Sequence, residues 1–369
     1  MSVETSKLTE VHSVTPEGAE RALRKAIKLK RPLFIWGPPG IGKSEIVESI
    51  TAAQGGLFID LRLGQCEPTD LRGIPFFNKD NGRMDWAPPI DLPDEELASQ
   101  YPLVTLFLDE MNTAPPAVQA SAYQLVLNRR VGKYRLPDNV RIIAAGNNES
   151  DKGVTYRMPT PLANRFTHIQ MRSDFNSFNN WATKKGVHQD VVGYLNFAKK
   201  DLMDFDSKSP SKSFATPRSW VAVSEIISDA EDTDPDTLFA LIAGTIGDGL
   251  AHKFSAHRKV SSKMPDPADI LSGKVTELEV KEISAMYSLI TNMCYELRDA
   301  LNNKVGNKKF HEMADNFFRF SMKNFETEII VMGAKTALKT YELPIMPTEL
   351  KTFDEFHKKY GKYIVDANN

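Results

Sequence analysis

One stretch of eight residues limits the fold of this chain more than any other part of its sequence. Residues 37–44 read Gly-Pro-Pro-Gly-Ile-Gly-Lys-Ser and match the pattern G-x-x-x-x-G-K-[ST]. The apolar run at 33–36 predicts a buried strand before this stretch, and Lys43–Ala53 predicts a helix after it. Glycines let backbone N–H groups wrap around an anion that also faces a helix N-terminus, so the arrangement predicts a phosphate-binding loop in an α/β fold.

Further apolar runs predict strands that share a sheet with the first one. They are Leu57–Leu63, Leu103–Leu108, Val140–Ala145 and His168–Arg172. Helical stretches such as Ala114–Asn128 lie between several of them. Because strands that alternate with helices favour a parallel sheet covered on both faces, we predict an α/β P-loop NTPase core with a parallel sheet.

The character of the sequence changes after about residue 173, where strand-like runs end. The helical patterns that follow include Thr237–His252, Glu279–Asn302 and His311–Leu338, and a stretch at 265–273 with prolines and a glycine is typical of a linker. The predicted organisation is an N-terminal helix in 1–30, the α/β core in 31–172, an all-α lid in 173–270 and a C-terminal helical extension in 271–369.

Charge and composition narrow the class of function. Lys and Arg number 46 against 48 Asp and Glu, a net charge of −2, whereas a chain that mainly grips nucleic acid usually carries a basic surplus. No apolar run reaches the roughly 18 residues of a membrane span, and the polar N-terminus lacks the core of a secretion signal. Cys66 and Cys294 are far apart and match no metal-binding spacing, so we expect both to be free thiols. We expect a cytoplasmic protein with no membrane segment and no nucleic-acid partner.

Acidic and amide side chains follow two of the predicted strands. Asp109 and Glu110 come directly after an apolar run, 66 residues after Lys43, and ligands of α/β sheets lie at the carboxyl ends of strands. Asp109 suits the shell of Mg²⁺, and Glu110 can orient and deprotonate an attacking water. Asn147 can hydrogen-bond that water or a γ-phosphate. The alternatives are a helix cap for the acidic pair and a plain turn at Gly-Asn-Asn.

Two arginines further along the chain are candidates for contact with phosphate. Arg165 lies 18 residues after Asn147 and just before an apolar run, where it can act on the nucleotide of a neighbouring subunit or form a salt bridge within its own chain. Arg218 opens a helix of the predicted lid, from which it can close onto phosphate.

Taken in this order, these features resemble the AAA+ ATPases, and more narrowly their MoxR-type branch. The narrower resemblance depends on 64–75 (Gly-Gln-Cys-Glu-Pro-Thr-Asp-Leu-Arg-Gly-Ile-Pro), on 109–112 (Asp-Glu-Met-Asn) and on 130–134 (Arg-Val-Gly-Lys-Tyr). It covers about residues 15–260 and is closest to phage-encoded members and to those that accompany von Willebrand factor A-type partners. The family's Asp-Arg-Phe is Asn164-Arg165-Phe166 here.

The resemblance implies a hexameric ring with ATP between subunits that remodels or activates a protein partner. It also implies that Asn147 is sensor 1, Arg165 the arginine finger and Arg218 sensor 2. The predicted cofactors are ATP and Mg²⁺. The predicted nucleotide-binding residues are Gly37, Pro38, Pro39, Gly40, Ile41, Gly42, Lys43, Ser44, Glu45 and Arg218. The predicted catalytic residues are Lys43, Asp109, Glu110, Asn147 and Arg165, with Ser44 and Asp109 at the metal.

Two predicted hairpins are candidate contact surfaces. Residues 73–89 place aromatic side chains on both sides of an Asp-Asn-Gly turn, which suits either a surface at the ring's pore or a small cluster packed under the loop. A basic hairpin contains Arg129, Arg130, Lys133 and Arg135, which suits contact with an acidic partner, with nucleic acid or with the phosphates of a neighbouring subunit. The functions that stay open are a ring that remodels proteins, a nucleic-acid motor or loader, and a scaffold that binds ATP and scarcely hydrolyses it.

Overall fold

A computed structural model of the chain describes residues 11–131, 134–148, 155–205, 211–345 and 350–365. Lys133 of the predicted basic hairpin lies outside these ranges. The described residues form two units, one that ends at Asp174 and one that begins at Phe175. No helix among them is long and apolar enough to cross a membrane.

The first unit is built around a sheet of six parallel strands in the order β1-β10-β2-β9-β6-β3. The strands of this sheet are β1 (Ser13–Val14), β2 (Leu33–Trp36), β3 (Leu57–Arg62), β6 (Val104–Asp109), β9 (Val140–Gly146) and β10 (Thr167–Met171). The runs predicted from the sequence match β2, β3, β6, β9 and β10 to within a residue or two at each end. The predicted parallel α/β core is therefore confirmed, and β1 is an addition at the edge that pairs with β10.

Two hairpins lie outside this sheet. One consists of β4 (Ile74–Asn78) and β5 (Arg83–Ala87), and the other of β7 (Arg130–Val131) and β8 (Tyr134–Arg135). Both fall where the sequence predicts hairpins. Phe76, Phe77 and Trp86 are 44%, 60% and 40% exposed, so they do not form a packed cluster under the loop.

Helices cover both faces of the sheet. They are α1 (Pro16–Lys28), α2 (Lys43–Ala52), α3 (Pro68–Arg72), α4 (Glu95–Ser99), α5 (Pro116–Asn128) and α6 (Thr160–Ala163). α1 lies in the predicted N-terminal helical stretch, and it begins at Pro16 because the Thr15 hydroxyl accepts from the Gly18 amide at 3.2 Å. Phe34, Leu106 and Leu108 belong to one buried cluster with α5, whereas α1 and α2 contact the strands from their own side. The central strands are therefore buried on both faces.

The second unit is entirely helical among its described residues. Its helices are α7 (Phe175–Lys185), α8 (Gln189–Phe197), α9 (Pro217–Ser228), α10 (Pro235–Ile246), α11 (Asp248–Ser261), α12 (Pro267–Leu271), α13 (Ile283–Asn302), α14 (Asn307–Asn324), α15 (Thr327–Lys335) and α16 (Phe353–Val365). One hydrophobic cluster joins α7–α11 and another joins α12–α16, while α8 packs on α13. The predicted lid and extension therefore lie in one compact unit.

Three predicted boundaries in this unit are wrong. The single helix predicted over 237–252 is interrupted at Gly247, whose φ of +91° favours glycine and separates α10 from α11. The single helix predicted over 311–338 is interrupted at Phe325, which is extended and buried. The predicted linker at 265–273 contains α12, because Ile270 and Leu271 are apolar enough to enter the core.

The contact between α8 and α13 depends on one glycine. A Cβ at Gly193 would overlap Oγ of Ser288 and lie 2.7 Å from its Cα. We expect Gly193→Ala to destabilise the protein by about 1–3 kcal/mol through overpacking. Gly244 in α10 has nothing within 4 Å of such a Cβ, so Gly244→Ala should be neutral or stabilising by up to about 1 kcal/mol. Urea midpoints of the full chain, followed by circular dichroism, measure both, and equal midpoints would contradict the close helix contact.

Candidate nucleotide-binding site

The phosphate-binding loop connects the end of β2 to the start of α2. Gly40 and Gly42 have φ of +75° and +89°, a region that is accessible to glycine without strain. A Cβ at Gly37 would lie 2.7 Å from the Met171 carbonyl oxygen of β10, so this glycine is required by close packing. Gly42 caps α2 without a side chain, which leaves the N–H groups of the first helical turn to an anion. Ser44 and the exposed Glu45 lie in that turn.

Lys43 joins this loop to the next strand of the sheet. Its Nζ donates to the carbonyl oxygens of Gly37 at 2.7 Å and Pro38 at 3.0 Å, and to Oδ1 of Asn147 at 3.0 Å. β2 and β9 are neighbours and parallel, so their carboxyl ends place the two side chains together. Two of the predicted site residues, 104 positions apart in sequence, are therefore in direct contact.

The acidic pair lies at the carboxyl end of β6, the neighbour of β9 on the other side. The Glu110 amide donates to Oδ1 of Asp109 at 2.8 Å. Glu110 has a φ of +54°, a left-handed conformation that costs an ordinary residue roughly 1–2 kcal/mol. Its carbonyl accepts from the amide and hydroxyl of Thr113, which fixes that turn.

Carboxylates of three residues interact near these strand ends. The pKa of Asp60 in β3 is raised by burial and by the charges of Asp109 and Glu110, while Arg62 lowers it. Gly64, just after β3, lies against Glu110, since a Cβ there would be 2.9 Å from Oε2 of the glutamate. Hydroxyl and carboxylate oxygens are ligands that suit Mg²⁺, so Ser44 and Asp109 fit the predicted metal chemistry.

Asn112 is a positioning residue that sequence reasoning missed. Its Nδ2 donates to the Asn147 carbonyl at 2.8 Å, and its Oδ1 accepts from the Asn147 amide at 3.2 Å. The side chain is 2% exposed, and a Cβ at Gly146 would overlap its Oδ1. The sequence signal was the Asp-Glu-Met-Asn stretch, which contributed only to the family resemblance.

A second missed contact involves His168 in β10. The Trp36 indole donates to Nδ1 of His168 at 3.0 Å, and Nε2 of His168 lies 2.8 Å from the Ala163 carbonyl oxygen. An indole N–H can only donate and a carbonyl can only accept, so the neutral ring protonated on Nε2 satisfies both partners. The residue before the phosphate-binding loop is thereby connected to the turn that carries Arg165.

Arg165 lies at the opposite end of the sheet, where the strands begin. It comes just before β10, and Thr167, the first residue of β10, pairs with Leu33, the first residue of β2. The phosphate-binding loop follows the last residue of β2, and a strand of four residues spans about 13 Å. The exposed Arg165 is therefore separated from the phosphate-binding loop of its own chain by the length of a strand.

Arg218 lies in the second unit. It follows Pro217 in the first turn of α9, where the Thr216 hydroxyl caps the helix, and its side chain is exposed. Its contact with phosphate stays a prediction.

The strand order, the loop and the strand-end residues define an α/β core of the P-loop nucleoside triphosphatase fold, followed by a helical C-terminal part. No protein-family model matches the chain. The chain is 27% identical over 165 residues to midasin of Dictyostelium discoideum, a match that covers 42% of this chain and 3% of that protein. It is 26% identical over 173 residues to midasin of Giardia intestinalis, covering 44% and 3%. The chain thus spans a small part of the curated relatives it matches.

Solved structures with a similar arrangement include NtrX of Brucella abortus in complex with ATP. That match has 15% identity and a TM-score of 0.38, and covers 96% of this chain and 70% of NtrX. A RuvB mutant of Thermotoga maritima matches at 15% identity and a TM-score of 0.33, covering 67% and 73%. At these TM-scores, the fold assignment depends on the strand order and the site geometry of the chain itself.

The clamp between Asn112 and Asn147 leads to a test that needs no nucleotide. Asn112→Ala leaves the Asn147 amide and carbonyl without their partner, which costs about 1–3 kcal/mol for buried groups. We expect faster hydrogen exchange at the Asn147 amide and a lower urea midpoint. Asn128→Ala, at the exposed end of α5, is the matched control and should change neither. Unchanged exchange in Asn112→Ala would show that the clamp does not hold Asn147.

Proposed function

We propose that the chain binds ATP with Mg²⁺ and hydrolyses it, as a subunit of a MoxR-type ring that remodels or activates a protein partner. The observation that carries the proposal is the contact of Lys43 with Asn147 beside the acidic strand end of β6. The residues of this site follow the carboxyl ends of three adjacent parallel strands, β2, β9 and β6.

The binding step follows from the donors of the loop. Phosphate oxygens replace the carbonyl oxygens of Gly37 and Pro38 as acceptors from Lys43, and the N–H groups of the first turn of α2 face the same phosphates. Ser44 and Asp109 would hold Mg²⁺, which would neutralise part of the charge on the phosphates. Among the described residues, no group of three or more His, Cys, Asp or Glu side chains could hold a metal. That agrees with a Mg²⁺ bound by one or two protein oxygens together with substrate phosphates.

The hydrolytic step belongs to Glu110 and Asn147. Glu110 orients a water and accepts its proton as the water oxygen attacks the γ-phosphorus and the bond to the β–γ bridging oxygen breaks. The left-handed backbone at Glu110 gives its carboxylate a direction that the regular end of a strand does not provide. Asn147, held by Asn112 and in contact with Lys43, supplies an amide to the same water or to the γ-phosphate.

Arg165 completes the site from a second subunit. Its place at the amino ends of the strands supports action in trans, because a full strand separates it from a nucleotide bound by the phosphate-binding loop of the same chain. A hexameric ring and a closing role for Arg218 are the arrangements that the family resemblance supports.

The hairpin β4–β5 is the proposed contact with the protein partner. Phe77 pairs with Met84, and Pro75 pairs with Trp86, so these four side chains share one face. Phe77 and Met84 are 60% and 61% exposed, an unusual concentration of apolar surface on a two-stranded ribbon. A partner with a von Willebrand factor A-type domain is the candidate that the resemblance favours.

The second candidate function is a nucleic-acid motor or loader. Arg130 and Arg135 are exposed and directly opposed in the hairpin β7–β8, a like-charge pair that an anionic partner would relieve. The net charge of −2 favours the protein partner. Turnover measured with and without DNA over a range of salt concentrations separates the two, since strong stimulation that falls steeply with salt would contradict the protein-remodelling ring.

The roles of Lys43 and Glu110 differ in a measurable way. Lys43→Ala should weaken nucleotide binding and abolish turnover. Glu110→Gln should retain ATP and lower turnover at least about 100-fold, because it loses the proton acceptor. Glu48→Gln, an exposed change in α2, should leave both properties intact. If the wild type and Glu110→Gln share the same near-zero turnover, the chain is an ATP-binding scaffold.

Subunit mixing tests action in trans. Arg165→Ala alone should be inactive, and its mixture with the equally inactive Lys43→Ala should regain part of the activity, because each variant supplies what the other lacks. Replacing Arg165→Ala in the mixture by the exposed-helix variant Arg21→Ala, which retains its own activity, gives the reference for partial dilution. A mixture with no more turnover than its two components would refute the shared site.

A further inference from the structure

A small cationic cavity lies at the end of the sheet where the strands begin, opposite to the phosphate-binding loop. Its volume is about 300 Å³, and it is bounded by the ends of α1 and α5 and by the starts of β2, β9 and β10. Its charged lining residues are Lys30, Arg31, Arg129, Arg141 and Arg165, and its other lining residues are apolar. No carboxylate is among the residues that line it.

Two of the guanidinium groups are held in place by carbonyl oxygens. Arg129 donates to Val140 at 3.1 Å and Pro137 at 2.6 Å. Arg141 donates from Nε to Ile27 at 3.0 Å, and from its terminal nitrogen to Asp138 at 2.8 Å. Carbonyl groups orient a guanidinium without neutralising it, so the positive charge of the cavity persists.

Burial and a neighbouring positive charge both affect the pKa of Arg141. Its pKa is lowered first by burial and then by the charge of Arg129, and the nearby Asp138 offsets part of the effect. A cavity that serves packing alone would favour neutral side chains here.

Two residues of the rim have a left-handed backbone, a conformation that Lys304 also adopts after α13. Lys30 and Arg129 follow the C-terminal ends of α1 and α5 with φ of +54° and +51°. Glycine is the residue that ordinarily takes this position after a helix, because it has no Cβ. At both helix ends the chain instead carries a long cation that lines the cavity.

Attraction of cations to helix C-termini accounts for only part of the cluster. Arg141 caps the end of α1 through Ile27, as such an attraction predicts. The side chains of Lys30, Arg31 and Arg165 form no hydrogen bond or ion pair within the ranges that the structure describes. Three cations therefore line the same small space, and among the described residues none of their side chains has a bonded partner.

We propose that this cavity binds a phosphate group. Guanidinium forks match the oxygens of phosphate in paired hydrogen bonds, and a dianion neutralises more of the five cations than a carboxylate does. The volume lies at the lower end of ligand pockets, which suits a small anion. The phosphate is either free orthophosphate or the terminal phosphate of a nucleotide bound by a second copy, and only the second source rests on the proposed function.

The test uses inorganic phosphate and the full chain with Lys43→Ala, which disables the phosphate-binding loop. Calorimetric titration should find one phosphate per chain. Adding Arg31→Ala should weaken that affinity at least tenfold, whereas adding Lys28→Ala, an exposed cation at the end of α1 outside the cavity, should change it less than twofold. Absence of binding, or equal weakening by both changes, would overturn the proposal.

Lys30→Gly separates binding from folding. Glycine relieves the left-handed backbone at this position, so the unfolding midpoint should stay or rise while phosphate affinity falls. Unchanged affinity in this variant and in Arg31→Ala would assign the two cations to structure alone and reject the site.

The source is decided with Glu110→Gln chains loaded with ATP. If ATP blocks phosphate binding in assembled chains but not in dilute single chains, the phosphate belongs to a neighbour's nucleotide. If it blocks neither, the cavity takes free orthophosphate, and the site survives even where the ring mechanism fails. Blocking in dilute single chains would place the bound phosphate in the phosphate-binding loop and overturn the proposal.

Discussion

All six strands of the central sheet run in one direction, and the placement of the charged groups at the strand ends depends on this constraint. Parallel strands place all their carboxyl ends at one end of the sheet and all their amino ends at the other. Lys43, Asp109, Glu110 and Asn147 follow carboxyl ends, whereas Arg31, Arg141 and Arg165 lie at amino ends. A chain with this sheet has its phosphate-binding loop and its exposed arginine on opposite sides, whatever its loops do.

The fold was predictable where burial forces a simple pattern. β2 and β6 are covered on both faces and therefore read as short apolar runs, which the sequence displays directly. β1 has only two residues and no such pattern, so it could not be found. Apolar positions continue at helical spacing across Gly247 and Phe325, and this pattern hides both breaks. At Gly247 the glycine itself ends α10, whereas at Phe325 the burial of the side chain in the core decides where α14 ends.

The candidate site divides in the same way. Lys43, Ser44, Asp109 and Glu110 were predicted because they belong to motifs whose spacing is local to a strand end. The bonds of Asn112 to Asn147 and of Trp36 to His168 cross 35 and 132 positions, and no local pattern announces them. The left-handed backbone at Glu110 was equally invisible, since nothing about a glutamate after an apolar strand requires it. Sequence reasoning therefore finds the groups that carry chemistry more easily than those that hold them.

The two ends of the strands differ in charge, and this bears on how copies can associate. Carboxylates of Asp60, Asp109 and Glu110 lie near one end beside Lys43 and Arg62, and five cations line a cavity without acidic residues at the other. A two-fold dimer through the cationic end would bring like charges together. A head-to-tail contact would instead bring the cations of one copy to the acidic side of the next, and repetition of such a contact closes into a ring when its rotation allows. The direction of the strands, together with the absence of a carboxylate among the residues that line the cationic cavity, therefore favours head-to-tail over two-fold association of copies.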